Sequence, residues 1–225
     1  MDLKGHINDL VFPIIKLFLK NGKFTFRNKE YNYKIHSRSW NSERVVEIPI
    51  VLEYIDENKR ILEVGDVLFQ YLKPHWDIVD KYPERSGIIE SDIIDYKPKD
   101  KYHLIVMIST LEHIGFNEDV AGGEKPEDFV DNNKTEEAIK NIKNNCLKTN
   151  GTLIITVPLG YNKEMDRKLM ENKLGFTDLY YLKRITKDNK WIEINKEAVI
   201  NPKYGDPFPC ANYICVGVYE NTNII

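Results

Sequence analysis

Short apolar runs between positions 61 and 157 constrain the fold more than any other feature of this sequence. Such runs are typical of parallel strands, because helices cover both faces of these strands. Residues 135–147 place apolar side chains at helical spacing, and the Asn150-Gly151 pair after them is a common helix stop. This alternation predicts an α/β fold with an open, mainly parallel sheet. The predicted parallel strands are Ile61–Val64, Ile78–Val79, Ile88–Ile89, Leu104–Ile108 and Leu153–Val157.

The two ends of the chain follow different patterns. The first forty residues carry eight Lys and Arg against three Asp and Glu, whereas the whole chain of 225 residues has a net charge of −3. This asymmetry predicts an N-terminal cap over residues 1–41, with a helix at 7–20 and a hairpin formed by segments 22–26 and 31–35. The cap is expected to cover the substrate side of a main domain at residues 42–225. Three antiparallel strands are expected along one edge of the sheet, over Leu179–Ile185, Trp191–Ile194 and Tyr213–Tyr219.

Composition argues against several classes of protein. Hydrophobic residues make up 42% of the chain and charged residues 30%, as in globular proteins. The net charge of −3 supplies no basic field for nucleic acid. Three cysteines without a CxxC pair fit reduced thiols in the cytoplasm, and the apolar stretch Leu10–Leu19 is too short to span a bilayer. We expect a cytoplasmic protein with no nucleic-acid partner and no stable membrane insertion. The acidic residues at 117–131 match no metal-ligand spacing, so no metal is expected.

A ligand site is expected where the carboxyl ends of the parallel strands meet, as in other open α/β sheets. Gly65 follows the first predicted strand, and a residue without a side chain lets the backbone approach a ligand. Asp80 ends the second strand, where an acid can accept hydrogen bonds from both hydroxyls of a ribose. Asp92 follows the third strand, in place to bind the amino group of a base.

The segment after the first strand lacks the glycines that a dinucleotide requires. A diphosphate binds bare backbone at a helix N-terminus, but Asp66 and Leu68 stand where small residues are expected. The carboxylate of Asp66 would also repel a diphosphate. A cofactor with ribose and adenine but no phosphate meets neither objection, and S-adenosylmethionine is such a molecule.

In order and spacing, these segments resemble the class I S-adenosylmethionine-dependent methyltransferases over roughly residues 42–220. Within that class, segments such as Glu43–Pro49 are similar to a subgroup associated with polysaccharide or small-metabolite modification. Val67 and Phe69 replace the later glycines of motif I, His103 replaces the usual aspartate, and the stretch after motif I leaves room for a helix of about two turns. The matching segments are Ile61-Leu62-Glu63-Val64-Gly65, Asp80, Ser91-Asp92-Ile93, Tyr102–His113 and Leu147–Leu153.

The resemblance implies a Rossmann-like fold with a seven-stranded mixed sheet and S-adenosylmethionine as the cofactor. It implies methyl transfer to a small molecule, expected to be a sugar or metabolite hydroxyl. Catalysis would come mainly from alignment of the acceptor with the methyl group. The residues expected to hold the cofactor are Glu63, Gly65, Asp66, Asp80, Asp92, Ile93 and Ser109.

Two groups of residues are expected to face the acceptor. His113 and Glu112 are the candidates for proton removal, and Tyr33, Arg44 and Tyr161 are the candidates for substrate binding. All of these except Tyr161 have a structural alternative. His113 would then bond a neighbouring backbone, Glu112 would favour an early helical turn through the dipole, and Arg44 and Tyr33 would belong to a solvated cap surface.

Other functions and partners stay open at this stage. The alternatives are a non-catalytic Rossmann-like nucleotide-binding module and an NAD-dependent oxidoreductase. The apolar helix at 7–20 would pack on the core or form a homodimer interface. Asn201-Pro202-Lys203-Tyr204 resembles the Asn-Pro-Pro-Tyr signature of base-modifying methyltransferases, but it lies near the last strand rather than after the fourth. We therefore expect no role for it in binding a base.

Overall fold

The computed structural model describes residues 22–37, 39–115, 131 and 133–222. The helix expected at 7–20 and most of the acidic segment at 117–131 lie outside the described residues. Within the described residues, no helix has the length and apolar content that crossing a bilayer requires.

The described chain contains ten strands. The first two form a separate hairpin, and the other eight form one sheet. All five predicted parallel strands are present, with bounds that differ by a few residues. In chain order the strands are β1 (Lys23–Phe26), β2 (Lys29–Asn32), β3 (Ile61–Val64), β4 (Asp77–Asp80), β5 (Ile89–Glu90), β6 (Tyr102–Ile108), β7 (Leu147–Pro158), β8 (Asp178–Arg184), β9 (Trp191–Ile194) and β10 (Tyr213–Glu220).

The described residues form three α-helices, which are α1 (Arg44–Leu52), α2 (Lys134–Asn141) and α3 (Lys163–Met170). A π-helical turn at Ile142–Cys146 continues α2 and ends before β7, so Asn150 and Gly151 lie inside the assigned strand rather than at the helix end. The helix expected after β3 is only a 3₁₀ turn at Leu68–Gln70. The expectation of two helical turns there is therefore wrong.

The order of strands in the sheet is β5-β4-β3-β6-β7-β10-β8-β9. The five strands from β5 to β7 are mutually parallel, and β10 runs antiparallel to both of its neighbours. This arrangement confirms the α/β Rossmann-like fold. The count of seven that the resemblance implied is one short, whereas the five parallel and three antiparallel strands predicted from the sequence match the eight observed. The last strand, β10, lies inside the sheet rather than at its edge.

Apolar side chains cover both faces of the sheet. On one face, Leu153 and Ile155 of β7 pack in a core that includes α2 and α3. On the other face, Ile154 of β7 packs in a core that includes α1 and the hairpin. The central strands are thus buried on both sides, which explains why their sequences read as continuous apolar runs.

The predicted hairpin forms, although its second strand begins at Lys29 rather than at the expected residue 31, and it packs along the β8–β9 side of the sheet. Arg27 and Asn28 both have positive φ and make its turn. The ring of Phe26 meets Tyr180 of β8 edge-on, and the backbone N–H of Arg27 donates to Glu193 of β9. In the strand order, β6, β7 and β10 separate the strands that the hairpin contacts from β3.

Candidate functional site

A crevice of about 580 Å³ lies beyond the carboxyl ends of β3 and β4. In the sheet, β4 and β5 lie on one side of β3, whereas β6 and all later strands lie on the other side. The site is therefore the topological switch point at which open α/β sheets bind ligands. Its lining includes His36, Asp66, Phe69, Asp80, Tyr82 and Arg85.

Gly65 is required by the packing of two loops. Its φ is +83°, and its N–H donates to the carbonyl of Val79 at 2.9 Å. A Cβ at this position would lie 2.5 Å from Oγ1 of Thr110, in the loop after β6. This close approach accounts for the glycine without a ligand.

Glu63 stabilises the loop that follows β3. The side chain is fully buried, and its Oε1 accepts hydrogen bonds from the N–H groups of Val67 at 2.9 Å and Leu68 at 2.7 Å. Its Oε2 accepts from Nε1 of Trp76 at 3.2 Å. Burial raises the pKa of Glu63 to about 7. Glu63 therefore organises the loop from the protein interior and occupies two of its backbone N–H donors.

Asp66 is paired with an arginine. Nε and Nη2 of Arg85 donate to the two carboxylate oxygens at 2.6 and 2.7 Å, and the guanidinium lies 3.9 Å from the centre of the Phe69 ring. The negative charge of Asp66 is thereby matched, which removes the sequence argument that this carboxylate would repel a diphosphate. Sequence reasoning missed Arg85 because it lies in the β4–β5 loop, outside any recognised motif.

The structure places the predicted ribose and adenine residues differently. Asp80 lines the crevice, and its Oδ1 accepts from the N–H of Tyr82 at 2.8 Å. Asp92 accepts from the N–H of Ile94 at 3.0 Å and pairs with Lys81 at 3.2 Å. Ile93 is buried in the core. Only Asp80 of the predicted ribose and adenine residues thus lines the crevice.

Three predicted residues, Arg44, Ser109 and Glu112, meet Glu43 and Glu47 in a buried group of side chains that we call the acidic cluster. Glu47 of α1 is fully buried and accepts hydrogen bonds from Arg44 at 2.6 Å and from Oγ of Ser109 at 2.8 Å. Ser109 has a φ of +37°, a strained conformation for a residue with a side chain. Ser109 therefore bonds to the cluster rather than lining the crevice.

Glu112 lies in the same cluster with one oxygen unpaired. Its side chain is 1% exposed, and no described residue bonds to its Oε2. Oε1 lies 3.7 Å from Nε2 of His113, whose side chain is 46% exposed. Burial raises the pKa of Glu112 to about 8. The carboxyl group is thus linked to solvent through His113.

Three aromatic rings line up beside Glu112, and we call them the aromatic wall. The ring centres of His113 and Tyr161 are 5.1 Å apart, and those of Tyr161 and Tyr204 are 5.3 Å apart. A Cβ on Gly160 would lie 2.6 Å from the backbone of Tyr204 and of Lys203. This glycine therefore lets the loop before β10 reach the β7 exit. The sequence analysis set the segment that contains Tyr204 aside because it lies near the last strand, and the structure brings its ring beside Tyr161.

The remaining predicted residue, Tyr33, lies elsewhere. Its phenolic oxygen accepts from the backbone N–H of Trp191 at 2.9 Å, at the start of β9. Its hydroxyl thus bonds to the edge strand β9 and makes no described hydrogen bond with Arg44 or Tyr161.

The crevice and the acidic cluster are neighbours. His36 lines the crevice, and its ring lies 5.2 Å from that of Tyr71. Burial raises the pKa of Tyr71, and the charges of Arg44 and Glu47 also act on it. Tyr71 therefore lies within electrostatic reach of the cluster. Among the described residues, no three His, Cys, Asp or Glu side chains are arranged to hold a metal ion.

Comparisons with known proteins were made by sequence and by structure. No family model and no curated protein matches the chain. Among solved structures, a possible histamine N-methyltransferase from Thermotoga maritima is 14% identical, with a TM-score of 0.45 over 78% of this chain and 87% of that one. A methyltransferase from Archaeoglobus fulgidus is 14% identical, with a TM-score of 0.44 over 75% and 90%.

A third similar structure is the N-methyltransferase NodS from Bradyrhizobium japonicum, solved with S-adenosylhomocysteine. It is 14% identical, with a TM-score of 0.42 over 72% of this chain and 78% of that one. All three are methyltransferases by description. The fold of the present chain is identified by its own strand order, given above.

Proposed function

We propose that this chain is an S-adenosylmethionine-dependent methyltransferase that acts on a small molecule. One observation carries the proposal: Glu63 accepts hydrogen bonds from two backbone N–H groups of the loop after β3, next to a crevice that Asp80 lines. A diphosphate needs free backbone N–H groups at a helix N-terminus. Here the amides of Val67 and Leu68 already bond to Glu63, and the turn that follows contains three residues. The crevice therefore favours an adenosine without phosphate.

The residues present fit S-adenosylmethionine. Asp80 ends β4 and lines the crevice, where its carboxylate would accept hydrogen bonds from the ribose hydroxyls. When bound, S-adenosylmethionine supplies an electrophilic methyl carbon on a positively charged sulfur. The acidic cluster next to the crevice favours that positive charge.

The catalytic contribution of the chain would be alignment, exclusion of water and proton removal. Tyr161 and Tyr204 would hold the acceptor against the methyl carbon, which lowers the entropic cost of the in-line reaction. Glu112 and His113 would take the proton that the acceptor loses. A small acceptor with a hydroxyl group is the expectation from the sequence. The three free cysteines, Cys146, Cys210 and Cys215, fit a reducing cytoplasm.

Calorimetric titration tests this proposal. S-adenosylhomocysteine should bind the wild-type chain, whereas NADH should not. Asp80→Asn should weaken binding of S-adenosylhomocysteine at least tenfold, because the ribose hydroxyls lose a charged acceptor. Asp95→Asn is the matched control, since Asp95 is exposed, and it should leave affinity unchanged.

Two outcomes would reject the proposal. Binding of NADH without binding of S-adenosylhomocysteine would indicate an oxidoreductase. Binding of S-adenosylhomocysteine with no methyl transfer to any compound in a broad metabolite extract would indicate a non-catalytic module. Unchanged affinity in Asp80→Asn would remove the ribose assignment alone.

A further inference from the structure

The acidic cluster contains more negative than positive charge. Glu43, Glu47 and Glu112 are all buried, Arg44 donates a hydrogen bond into the cluster, and Nε2 of His113 lies 3.7 Å from Glu112. The guanidinium of Arg44 bonds to Glu47, and Glu43 accepts from the backbone N–H of Ala211 at 3.1 Å. The Oε2 atom of Glu112 has no hydrogen-bond partner in the described chain. One guanidinium can match only one of the three carboxyl groups, and Glu112 is the one with an oxygen that lacks a hydrogen bond from any described residue.

Unmatched negative charge in a protein interior is costly, because a charge loses its hydration on burial. Such a group either holds a proton or faces a cation. Burial raises the pKa values of Glu43 and Glu112, and the pKa of Glu112 reaches about 8. Without a ligand, Glu112 is then largely protonated at neutral pH. A cationic ligand would displace that proton.

The aromatic wall stands beside this carboxyl group. His113 precedes Tyr161 and Tyr204 in the line of rings, and its imidazole is close to Glu112. Burial raises the pKa of Tyr204, and the charges of Glu43, Arg44 and Glu112 also act on it. Tyr204 therefore lies within electrostatic reach of the cluster. Aromatic faces next to a carboxylate form the environment that recognises ammonium groups.

We propose that the methyl acceptor is an amine, held as its ammonium ion by Glu112 and the aromatic wall. This inference rests on the proposed methyltransferase function and specifies its substrate class. A neutral hydroxyl, the acceptor expected from the sequence, would leave Glu112 protonated, whereas loss of that proton creates a buried negative charge that a cation must compensate. An ammonium ion compensates that charge and supplies the hydrogen-bond donor that Oε2 lacks.

The transfer balances with the groups at hand. The bound ammonium gives one proton to the carboxylate of Glu112, which frees the nitrogen lone pair. That lone pair forms the N–C bond to the methyl carbon as the C–S bond breaks, and the electron pair of the C–S bond goes to sulfur. The products are the methylated ammonium ion and a neutral thioether. The proton on Glu112 leaves through His113, which is close to it and half exposed.

Methylammonium is a probe that does not require knowledge of the natural acceptor. The full chain, saturated with S-adenosylhomocysteine, is titrated with methylammonium chloride against potassium chloride at the same ionic strength. Methylammonium should raise the midpoint of thermal unfolding by at least 2 °C more than potassium does, as expected for a ligand near ten times its Kd. Methanol, the neutral counterpart, should have no such effect.

Glu112→Gln should remove the methylammonium effect and keep the affinity for S-adenosylhomocysteine within threefold. Glu57→Gln is the matched control, because Glu57 is exposed, and it should behave as wild type. If Glu112→Gln does not fold, as judged by circular dichroism, Glu43→Gln serves in its place and should weaken the effect at least threefold.

The possible results separate the two proposals. If S-adenosylhomocysteine does not bind, the methyltransferase function fails first. If it binds and methylammonium acts like potassium, only the amine inference is overturned. An equal loss of S-adenosylhomocysteine affinity in Glu112→Gln would also overturn it, because the cluster would then serve the cofactor. Mass spectrometry of an equimolar mixture of primary amines and alcohols should detect methylated amines, and methylated alcohols alone would refute the inference.

Discussion

Replacement of Gly65 by alanine tests how the two exit loops pack. The new Cβ would lie 2.5 Å from Oγ1 and 3.1 Å from Cγ2 of Thr110, and the residue would keep a φ of +83°. The left-handed backbone costs about 1–2 kcal/mol for a residue with a side chain. To make room, Thr110 must rotate and lose its hydrogen bond to the carbonyl of Ile108, which is 3.0 Å long. That adds about 1–2 kcal/mol, so the total loss is about 3 kcal/mol.

The same contact predicts a specific rescue. Thr110→Ala alone should cost about 1 kcal/mol for the lost hydrogen bond. In the Thr110→Ala background, the nearest side-chain atom to the new Cβ of residue 65 is Cβ of residue 110, at 3.4 Å. The cost of Gly65→Ala should then fall to about 1–2 kcal/mol, the cost of the left-handed backbone alone. The double variant should therefore be more stable than the sum of the single effects by about 1.5 kcal/mol.

Urea unfolding, followed by tryptophan fluorescence, measures the free energies of unfolding of the wild type, the two single variants and the double variant. Gly87→Ala is the control, since Gly87 has a φ of +86° with no atom within 4 Å of the added Cβ. It should cost only about 1–2 kcal/mol, unaffected by Thr110→Ala. Additivity of Gly65→Ala and Thr110→Ala within about 0.5 kcal/mol would refute the packing explanation. The double variant should keep affinity for S-adenosylhomocysteine within threefold.

Two further predictions concern buried polar groups. Asn162→Ala should lower the free energy of unfolding by about 2 kcal/mol, because Asn162 caps α3 by accepting from Met165 at 3.0 Å and donates to the carbonyl of Glu112 at 3.1 Å. Glu63→Gln should flatten the pH dependence of stability between about 4.5 and 7. In this window the unfolded carboxyl ionises while the folded one keeps its proton, so wild-type stability falls as pH rises, by roughly 3 kcal/mol.

Both predictions have internal controls. Asn162→Ser keeps a side-chain acceptor for α3 and loses the donor to Glu112, so it should lie between wild type and Asn162→Ala in urea unfolding. For Glu63, the difference in stability between wild type and variant is measured at several pH values, which cancels the other titrating groups. A difference that stays constant from pH 4 to pH 8 would contradict the buried, protonated state of Glu63.

The sequence was sufficient to predict the strand pattern and the edge that carries the site. Burial on both faces imposes continuous apolar runs on a parallel strand, so β3, β4 and β6 could be recognised locally. The carboxyl ends of such strands must meet at one edge, which placed Asp80 at the crevice. The alternation of apolar and polar residues in two nearby segments likewise predicted the hairpin.

Side-chain partners depended on the tertiary structure. The bond between Ser109 and Glu47 joins residues 62 positions apart, and Asp66 meets Arg85 in a loop without a motif. Neither pairing leaves a local pattern, because such contacts depend on where distant segments are brought together. The sequence therefore suggested a cofactor role for Ser109 that the geometry directs to the acidic cluster.

The sequence by itself determined which segments are strands, because burial requires apolar residues at particular positions within each short segment, and those positions can be read from the sequence. Only the tertiary structure decided that β10 enters between β7 and β8, and that Gly160 brings Tyr204 beside Tyr161. Strand insertion and loop contact are decided by competition among long-range packings. The outcome of that competition sets the charge and shape of the site, and it cannot be predicted from any single segment of the chain.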